Sequence, residues 1–268
     1  MEFSKGYILG FALALCLVCS AVVSFAAVGL KDMQDANKLL DRRINVLKVA
    51  GVIAGDAHPA PDEVNHYFEP GGGVSYEVVD RTTGEVVTDL SKVGVASAEE
   101  FDPIAFAKEH LKDDALVAAV PKDLKKTQVK GLPRYLQVIA VKTDEVDCYV
   151  LPIHGYGLWS ILYGYLAVAH DGSQVVGITY YEHGETPGLG GEVDNPNWKA
   201  QWPGQRIYGD DGSMILEVKK HGQVTDPSHQ VDGMSGATIT TNGVNSMIQL
   251  WLGDEGYGTF LKAQRTNS

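Results

Sequence analysis

The chain has 268 residues, which is enough for one large domain or two small ones with a sizeable hydrophobic core. Its formal net charge of −12 argues against a nucleic-acid partner, because such a partner would need a basic face. Two of the three cysteines, Cys16 and Cys19, lie in an apolar N-terminal run. Cys148 alone cannot build a disulfide framework or a thiolate metal site in the globular part.

The N-terminal run predicts a membrane anchor over residues 1–30. Residues 7–30 carry no charged side chain, and as a helix they are long enough to span the roughly 30 Å hydrocarbon core of a bilayer. Residues 24–26 (SFA) also resemble a signal-peptide cleavage site, but the run is longer than the apolar part of a usual signal peptide. A lipoprotein site at Cys19 is disfavoured because Val18 stands where such sites need a small residue.

The basic residues near the anchor do not settle its orientation. Lys5 precedes the apolar run, whereas a larger group of basic residues follows it: Lys31, Lys38, Arg42, Arg43 and Lys48. By the positive-inside rule this distribution places the C-terminal part in the cytoplasm, but the rule is weak when a long domain follows. The charges alone therefore leave the side of the membrane open.

The next segments predict two helices separated by irregular chain and short strands. Apolar residues at helical spacing predict an amphipathic helix over residues 31–50 that ends at Gly51. Residues 55–73 are rich in Pro, Asp, His and Gly and predict a loop. A short helix is predicted over residues 103–111, with Asp102 as its N-cap.

Short runs of alternating or β-branched residues predict an antiparallel sheet. The predicted strands are residues 75–80, 85–88, 134–150 (one or two strands), 161–168, 175–181 and 214–219. The turn at residues 171–173 (DGS) joins two of these strands into a meander. The meander delivers the glycine-rich loop 182–192.

The chain is organised around residues 231–242, in which small and hydroxylated side chains surround Thr238. Apolar residues at helical spacing then predict a helix over residues 241–252, with Thr240, Thr241 or Asn242 as its cap. The small residues before it would leave backbone N–H groups uncovered at the positive end of the helix dipole, which is a ready anion site. The same physics also fits a tight loop before a capped helix.

Two other chemistries are disfavoured by the residue order. Residues 233–237 (GMSGA) resemble the G-x-S-x-G elbow of hydrolases, but every histidine precedes Ser235, whereas in that fold the catalytic histidine follows the serine. His183 lies among Glu182, Glu185 and Glu192, but their spacing matches no helical ligand pattern. We expect no catalytic residue and no metal site.

Two motifs carry a resemblance to known flavoproteins. Residues 232–238 (DGMSGAT) resemble the flavinylation motif of FMN-binding domains, in which the last threonine takes FMN through a phosphoester bond. Residues 185–190 (ETPGLG) resemble the second signature of the same domains. The N-terminal span, residues 151–199 and residues 251–254 (WLGD) are similar to the C subunits of sodium-translocating NADH:quinone oxidoreductases.

This resemblance implies a covalent flavin site. A dedicated flavin transferase would use FAD to attach FMN to the Thr238 hydroxyl, within a loop formed by Asp232, Ser235, Gly236 and Ala237. The ring would lie among residues of the second motif, which are Glu185, Thr186, Leu189 and Gly190. Trp159 is a further pocket candidate, although a tryptophan in such a run is as often plain core.

The resemblance also implies a fold and a division of the chain. We expect an α+β protein with one N-terminal transmembrane helix, followed by an antiparallel-sheet FMN-binding domain with flanking helices. Residues 1–30 would be the anchor, residues 31–150 the juxtamembrane helix and N-terminal α+β part, and residues 151–268 the FMN-binding domain.

The implied function is electron transfer within a membrane complex that oxidises NADH with ubiquinone and exports sodium. The partners would be the other subunits, the membrane and the flavin transferase, and the soluble domain would lie outside the cytoplasm of a bacterial inner membrane. The chain has no G-x-G-x-x-G motif after a strand, so we expect it to be a relay without its own NADH site. Two alternatives remain: the G subunit of an Rnf-type complex, and a membrane-anchored assembly module without covalent flavin.

Overall fold

The computed structural model describes residues 4–267, and its contacts divide the chain into two units, Met1–Arg42 and Arg43–Ser268. The first unit contains α1 (Lys5–Gly29) and the beginning of α2 (Lys31–Ala50). Every described residue of α1 is exposed, and its most apolar stretch has a mean hydropathy of 2.6. By length and composition α1 is the one described helix that could cross a membrane, a test that a signal sequence also passes.

The second unit alternates short helices with the strands of one main sheet. Its helices after α2 are α3 (Pro61–Tyr67), α4 (Pro103–Glu109), α5 (Pro196–Lys199), α6 (Thr238–Leu252) and α7 (Gly258–Asn267). Short 3-10 helices lie at Leu90–Val93, Ala98–Glu100, Lys122–Thr127 and Gly190–Asp194. The strands are β1 (Val74–Asp80), β2 (Val117–Ala118), β3 (Leu132–Pro133), β4 (Tyr135–Lys142), β5 (Asp147–Tyr156), β6 (Ile161–Ala169), β7 (Val175–Glu182), β8 (Glu217–Val218) and β9 (Gln230–Val231).

The main sheet has the strand order β1-β4-β5-β6-β7, and all its described pairings are antiparallel. β5 and β6 form a hairpin whose last pair is Tyr156 with Ile161, so residues 157–160 form its tip. The chain leaves the sheet after β7 and enters the loop that contains Glu185. β8 and β9 form a separate parallel pair directly before the loop that leads into α6.

The core lies between one face of the sheet and α6. Leu151, Leu166 and Ile178 are cross-strand neighbours on β5, β6 and β7, and they pack in one buried cluster with α6 residues. The α6 contribution to this cluster is Val244, Met247, Ile248, Leu250, Trp251 and Leu252. Burial of each large aliphatic side chain contributes about 1.5–3 kcal/mol, so this contact fixes the position of α6 on the sheet.

Further contacts close the sheet around α6 and α2. The Trp251 indole N–H donates to the carbonyl oxygen of His154 at 2.6 Å, where β5 has run beyond its pairing with β4. Within the second unit, the C-terminal residues of α2 are buried, and the Val49 carbonyl packs onto Gly177 of β7. Both helices are therefore held by the sheet rather than by helix propensity.

The structure confirms the predicted α+β class, with an antiparallel sheet, flanking helices and one long apolar N-terminal helix. The predicted helix over residues 31–50 is confirmed as α2, and the Asp102 carboxylate caps α4 by accepting from Ile104 N and Ala105 N. The prediction left open whether residues 134–150 form one strand or two, and the structure has two, β4 and β5, of which β5 continues to Tyr156.

Several predicted boundaries are wrong, each because a local signal was overruled or overlooked. The predicted loop 55–73 contains α3, which starts at Pro61, where the fixed φ of proline suits a first helical turn. The predicted strand 85–88 is reduced to an isolated bridge at Val86, and the predicted strand 214–219 is reduced to β8. Short segments of this kind pair only where a neighbouring strand is within reach.

Candidate functional site

The loop before α6 presents an exposed hydroxyl at an uncapped helix end. α6 begins at Thr238, three residues earlier than predicted, and no side chain caps it. The predicted caps are therefore wrong, because the Thr240 and Thr241 hydroxyls lie inside the first turn and bind elsewhere. In the part of the chain that the structure describes, the N–H groups of Thr238, Ile239 and Thr240 have no hydrogen-bond acceptor. Their free donors make an anion site at the helix N-terminus.

The loop alternates buried and exposed residues in a way that turns its polar side outward. Met234 and Ala237 are buried, whereas Ser235, Gly236 and Thr238 are exposed. Gly236 has φ +73°, a left-handed conformation that favours glycine, and a Cβ there would lie 3.3 Å from Leu189 Cδ2. The two motifs recognised in the sequence therefore touch at this point.

Glu185 ties the two motifs and the β5–β6 hairpin tip together. Its Oε1 accepts from the backbone N–H groups of Leu158, Trp159 and Ser160 at 3.0, 2.9 and 3.2 Å. Its Oε2 accepts from the Thr240 hydroxyl at 2.7 Å, within the first turn of α6. All four of these donors belong to this chain, and the residue is only 5% exposed.

These hydrogen bonds keep the buried carboxylate ionised. Burial by itself raises the pKa of Glu185, but the backbone N–H groups and the Thr240 hydroxyl stabilise the charged form by more. The pKa of Glu185 therefore lies below its ordinary value of 4.5. The group acts as a fixed negative anchor for the hairpin tip.

Gly190 is required by the close approach of these elements. A Cβ on Gly190 would collide with Glu185 Oε2 and with the Thr240 hydroxyl. Both atoms are already held by the hydrogen bond between them, so neither can move aside cheaply. A residue with a side chain at this position would have to separate the second motif from α6.

Three large apolar side chains on the elements that Glu185 joins are exposed. Trp159 is 66% exposed, Leu189 is 46% exposed and Ile239 is 58% exposed. A single exposed apolar residue needs no explanation, but three beside an uncapped helix end form the kind of surface that binds a ligand or a partner. Ile239 follows Thr238 directly, so the hydroxyl has an apolar neighbour within its own chain segment.

Asp232 lies at the start of the loop and is fully engaged. Its Oδ1 accepts from Gly222 N at 2.7 Å, and its Oδ2 lies 2.8 Å from His221 Nδ1. Its backbone N–H donates to Gln201 Oε1 and its carbonyl oxygen accepts from the Trp198 indole. Each carboxylate oxygen therefore has a partner within this chain.

His183 takes part in a chain of hydrogen bonds. Its Nε2 lies 2.7 Å from Asp194 Oδ2, and its Nδ1 accepts from the backbone N–H of Glu185. Among the described residues, no group of three or more histidine, cysteine, aspartate or glutamate side chains is placed to hold a metal ion.

The structure brings most of the sequence-predicted site residues to one place. Thr238, Ser235 and Gly236 form the exposed loop, Ala237 lies buried beneath them, and Asp232 anchors the start of the loop. Leu189 and Trp159 present exposed apolar side chains; Thr186 is exposed and accepts two backbone hydrogen bonds within its own loop. Glu185 and Gly190 lie buried under these residues.

Sequence reasoning missed the residues that act through long-range contacts. Thr240, Trp198, Gln201 and His221 each bind a motif residue, but nothing in their local sequence indicates it. Ile239 carried a readable signal, because it falls outside the apolar stripe of α6 that includes Val244. An apolar residue off the buried stripe at a helix start is expected to be exposed.

The loop and its surroundings offer groups for both a flavin phosphate and a flavin ring. The uncapped start of α6 supplies free N–H donors for a phosphate, and the exposed Thr238 hydroxyl lies at the same helix end. Exposed Trp159, Leu189 and Ile239 supply apolar surface for a flat ring. The residues present therefore fit a mononucleotide flavin.

Comparison with known proteins agrees with this chemistry. A protein-family model described as "FMN-binding domain" matches residues 157–253, which include the hairpin tip, the second motif and all of α6. By its fold and its site, the chain thus belongs to the class of FMN-binding proteins.

Whole-chain relatives define the family more narrowly. The chain is 41% identical over 258 residues to the C subunit of the Na+-translocating NADH-quinone reductase of Vibrio parahaemolyticus, covering 96% of this chain and 94% of the relative. It is also 41% identical to the C subunit of the same reductase of Pseudomonas aeruginosa, covering 93% of this chain and 92% of the relative. The crystal structure of Shewanella oneidensis NqrC matches with a TM-score of 0.70 and 30% identity, covering 87% of this chain and 99% of that chain. The chain belongs to the family of C subunits of the Na+-translocating NADH-quinone reductase, as its motifs indicated.

Proposed function

We propose that this chain is the electron-transfer subunit of a membrane complex of the kind its relatives are named for, and that it carries FMN on Thr238. The observation that carries the proposal is the exposed Thr238 hydroxyl at the uncapped start of α6, inside the DGMSGAT motif. An FMN-binding domain match over the same residues supports it.

The attachment is a phosphoryl transfer that needs another enzyme. The Thr238 oxygen forms a bond to the phosphorus of the FMN half of FAD, the bond to the AMP oxygen breaks, and the hydroxyl proton is released with AMP. Among the described residues, the two motif carboxylates, Glu185 and Asp232, already accept hydrogen bonds from other groups. A flavin transferase therefore supplies the catalysis, and this chain supplies an accessible hydroxyl.

Around the attachment point, residues of this chain would orient the bound FMN and shield it from solvent. The free N–H groups at the α6 start would hold phosphate oxygens, and Trp159, Leu189 and Ile239 would cover ring surface. Bound FMN supplies the one- and two-electron redox chemistry, while the polypeptide supplies orientation and electrostatics. Glu185 keeps the hairpin tip, the second motif and α6 in register.

The proposed complex oxidises NADH with ubiquinone and exports sodium, which is consistent with relatives named as Na+-translocating NADH-quinone reductases. One possible membrane span cannot make an ion path, so ion transport belongs to the other subunits. We place the chain in a bacterial inner membrane as a single-pass protein with its soluble part outside the cytoplasm.

The division into residues 1–30, 31–150 and 151–268 is proposed as a division of labour between anchor, connecting part and flavin part. β5 crosses residues 150 and 151, so the last two segments share one sheet. Residues 43–150 and 151–268 therefore belong to one structural unit, and we propose different tasks for them.

The test is denaturing gel electrophoresis with flavin fluorescence, on the chain produced in cells that have the transferase. The wild type is expected to give a fluorescent band, Thr238→Ala to give none, and Thr238→Ser to retain fluorescence because the hydroxyl remains. Thr88→Ala, which removes an exposed threonine outside the motif, is the matched control and keeps the band. A fluorescent band for Thr238→Ala would show that the flavin is attached to another residue. A wild-type band without fluorescence would favour the alternative of an assembly module without covalent flavin.

Co-purification separates the proposed complex from an Rnf-type one. Subunits of an NADH:quinone reductase are expected to accompany the tagged chain in mild detergent. Ferredoxin-linked partners in their place would assign the chain to the Rnf-type alternative.

A further inference from the structure

We propose that His221, which lies outside both motifs, is a positioning residue for the attachment of flavin: it holds Asp232, and Asp232 holds the loop that presents Thr238. The inference rests on the proposed function, since it concerns the same attachment step. It also assigns a task to Asp232, which the motif resemblance leaves open between holding the loop and being read by the transferase.

The contact between His221 and Asp232 is specific for one ring nitrogen. His221 Nδ1 lies 2.8 Å from Asp232 Oδ2 and 3.1 Å from the carbonyl oxygen of Gly233. Both neighbours are acceptors, so Nδ1 must carry the proton. This holds for the neutral ring and for the charged ring alike, because Nδ1 donates in both.

The remaining polar atoms of Asp232 are also occupied within this chain. Gly222 N donates to Oδ1 at 2.7 Å, completing a turn at His221 and Gly222 that closes on the carboxylate. From α5, the Trp198 indole donates to the Asp232 carbonyl oxygen at 2.9 Å. Just after α5, Gln201 Oε1 accepts from the Asp232 backbone N–H at 3.0 Å. Each carboxylate oxygen therefore already has one partner within this chain, which favours a task in holding the loop.

Two further hydrogen bonds connect the residues after Asp232 to the start of α6, where Thr238 lies. Two residues after Asp232, the Met234 backbone N–H donates to the Thr241 hydroxyl at 3.1 Å in a buried hydrogen bond. The Met234 carbonyl oxygen accepts from Ala237 N at 3.2 Å, which closes the turn directly before α6. Without His221, the Asp232 carboxylate and the Gly233 carbonyl oxygen each lose a partner at the start of this loop, and a smaller fraction of molecules presents the hydroxyl correctly.

The experiment measures flavinylation of the purified full-length chain in detergent, produced without the transferase and then supplied with transferase and FAD. The variants are His221→Ala, His221→Asn and His221→Gln. The Asn side-chain N–H takes the place of Nδ1, whereas the longer Gln side chain places its N–H near the position of Nε2.

We expect His221→Ala and His221→Gln to raise the apparent KM for the chain by about three- to tenfold, as for the loss of one partly exposed hydrogen bond to the Gly233 carbonyl oxygen together with the contact to the Asp232 carboxylate. The kcat should stay close to wild type, because a smaller competent fraction weakens apparent affinity without changing the reaction itself. His221→Asn should restore the wild-type KM. His66→Ala, which removes an exposed histidine beside Glu69 in another part of the chain, is the matched control and should change nothing.

Each contrary outcome is distinct. Equal KM values for the Asn and Gln variants would overturn the proposal. A wild-type KM for His221→Ala would overturn it as well. Additive losses in Asp232→Ala and His221→Ala combined would show that Asp232 acts independently of His221, which also contradicts it. If the wild type itself takes no flavin, the proposed function fails instead.

Discussion

At the scale of single residues, Glu185 is the side chain that joins the elements of the site. An ionised carboxylate is costly to bury, and here three backbone N–H groups and one hydroxyl offset that cost. Its contacts reach the β5–β6 hairpin tip on one side and α6 on the other. Removing it should affect stability and flavin attachment together.

We expect Glu185→Ala to lower the free energy of unfolding by about 1.5–3 kcal/mol, because it leaves the N–H groups of the hairpin tip without their acceptor. Denaturant unfolding of the two proteins measures the difference. Glu182→Ala, which removes an exposed carboxylate three residues earlier, is the matched control and should stay within about 0.5 kcal/mol of wild type. Equal losses in both variants would contradict the assigned role.

Glu185 also contributes to the dependence of folding stability on acid pH. Because the pKa of Glu185 is lower in the folded state than its ordinary value of 4.5, the unfolded chain binds a proton more readily. This contribution to stability is complete above the ordinary glutamate range and is lost as the pH falls through the lowered pKa. Glu185→Gln should therefore lose less stability than wild type on acidification below about pH 5. Parallel stability curves for the two proteins would show that the lowered pKa has no such effect.

The sequence predicts individual motif residues well and their partners poorly. Thr238 and Asp232 were recognisable because the motif is contiguous in the chain. The partners of the motif are remote: Thr240 lies 55 residues from Glu185 and Trp198 lies 34 residues from Asp232. Such contacts arise from the folding of the sheet and α6, and no local pattern encodes them.

At the scale of elements, the start of α6 decides what the site can do. The spacing of apolar residues predicted this helix, but its predicted start was residue 241. The reason is that threonine and asparagine are common N-caps, so residues 240–242 were assigned to the cap. The structure begins it at Thr238, because the Thr240 and Thr241 hydroxyls bind Glu185 and Met234 instead. The helix end is thereby left open for an anion.

The close packing of the second motif on α6 gives a prediction for Gly190. Gly190→Ala should destabilise the protein by about 1–3 kcal/mol, because its Cβ would collide with groups that are already hydrogen-bonded to each other. Gly184→Ala is the matched control, since a Cβ there would meet the Ser160 side chain at an ordinary 3.4 Å. Chemical denaturation of both variants checks this, and a wild-type midpoint for Gly190→Ala would show that the loop can move away from α6.

At the scale of the whole molecule, the sequence predicts the antiparallel meander and the apolar helix because both rest on long, periodic segments. It could not give the order β1-β4-β5-β6-β7, because the pairing of β1 with β4 joins segments separated by a long irregular stretch. The sequence predicted a strand over residues 214–219, which include β8, but it did not predict β9 or the parallel pairing of the two, because no local pattern encodes which strands pair.

The apolar helix leads to a prediction about location. The full-length chain should remain with the membrane after an alkaline wash and be released by detergent, whereas a variant lacking residues 1–30 should be recovered in the soluble fraction. In spheroplasts, protease added outside should digest the soluble part. Full-length chain in the soluble fraction would contradict the anchor, and protection from external protease would place the soluble part in the cytoplasm.

The central claim is that one atom, the Thr238 oxygen, tethers the flavin. Trypsin should release residues 221–262 as one peptide, because no lysine or arginine lies between Lys220 and Lys262. Mass spectrometry of this peptide from cells with the transferase should show an added mass equal to FMN less one water, and fragmentation should assign it to Thr238. An unmodified peptide, or the added mass on Thr240 or Thr241, would contradict the account.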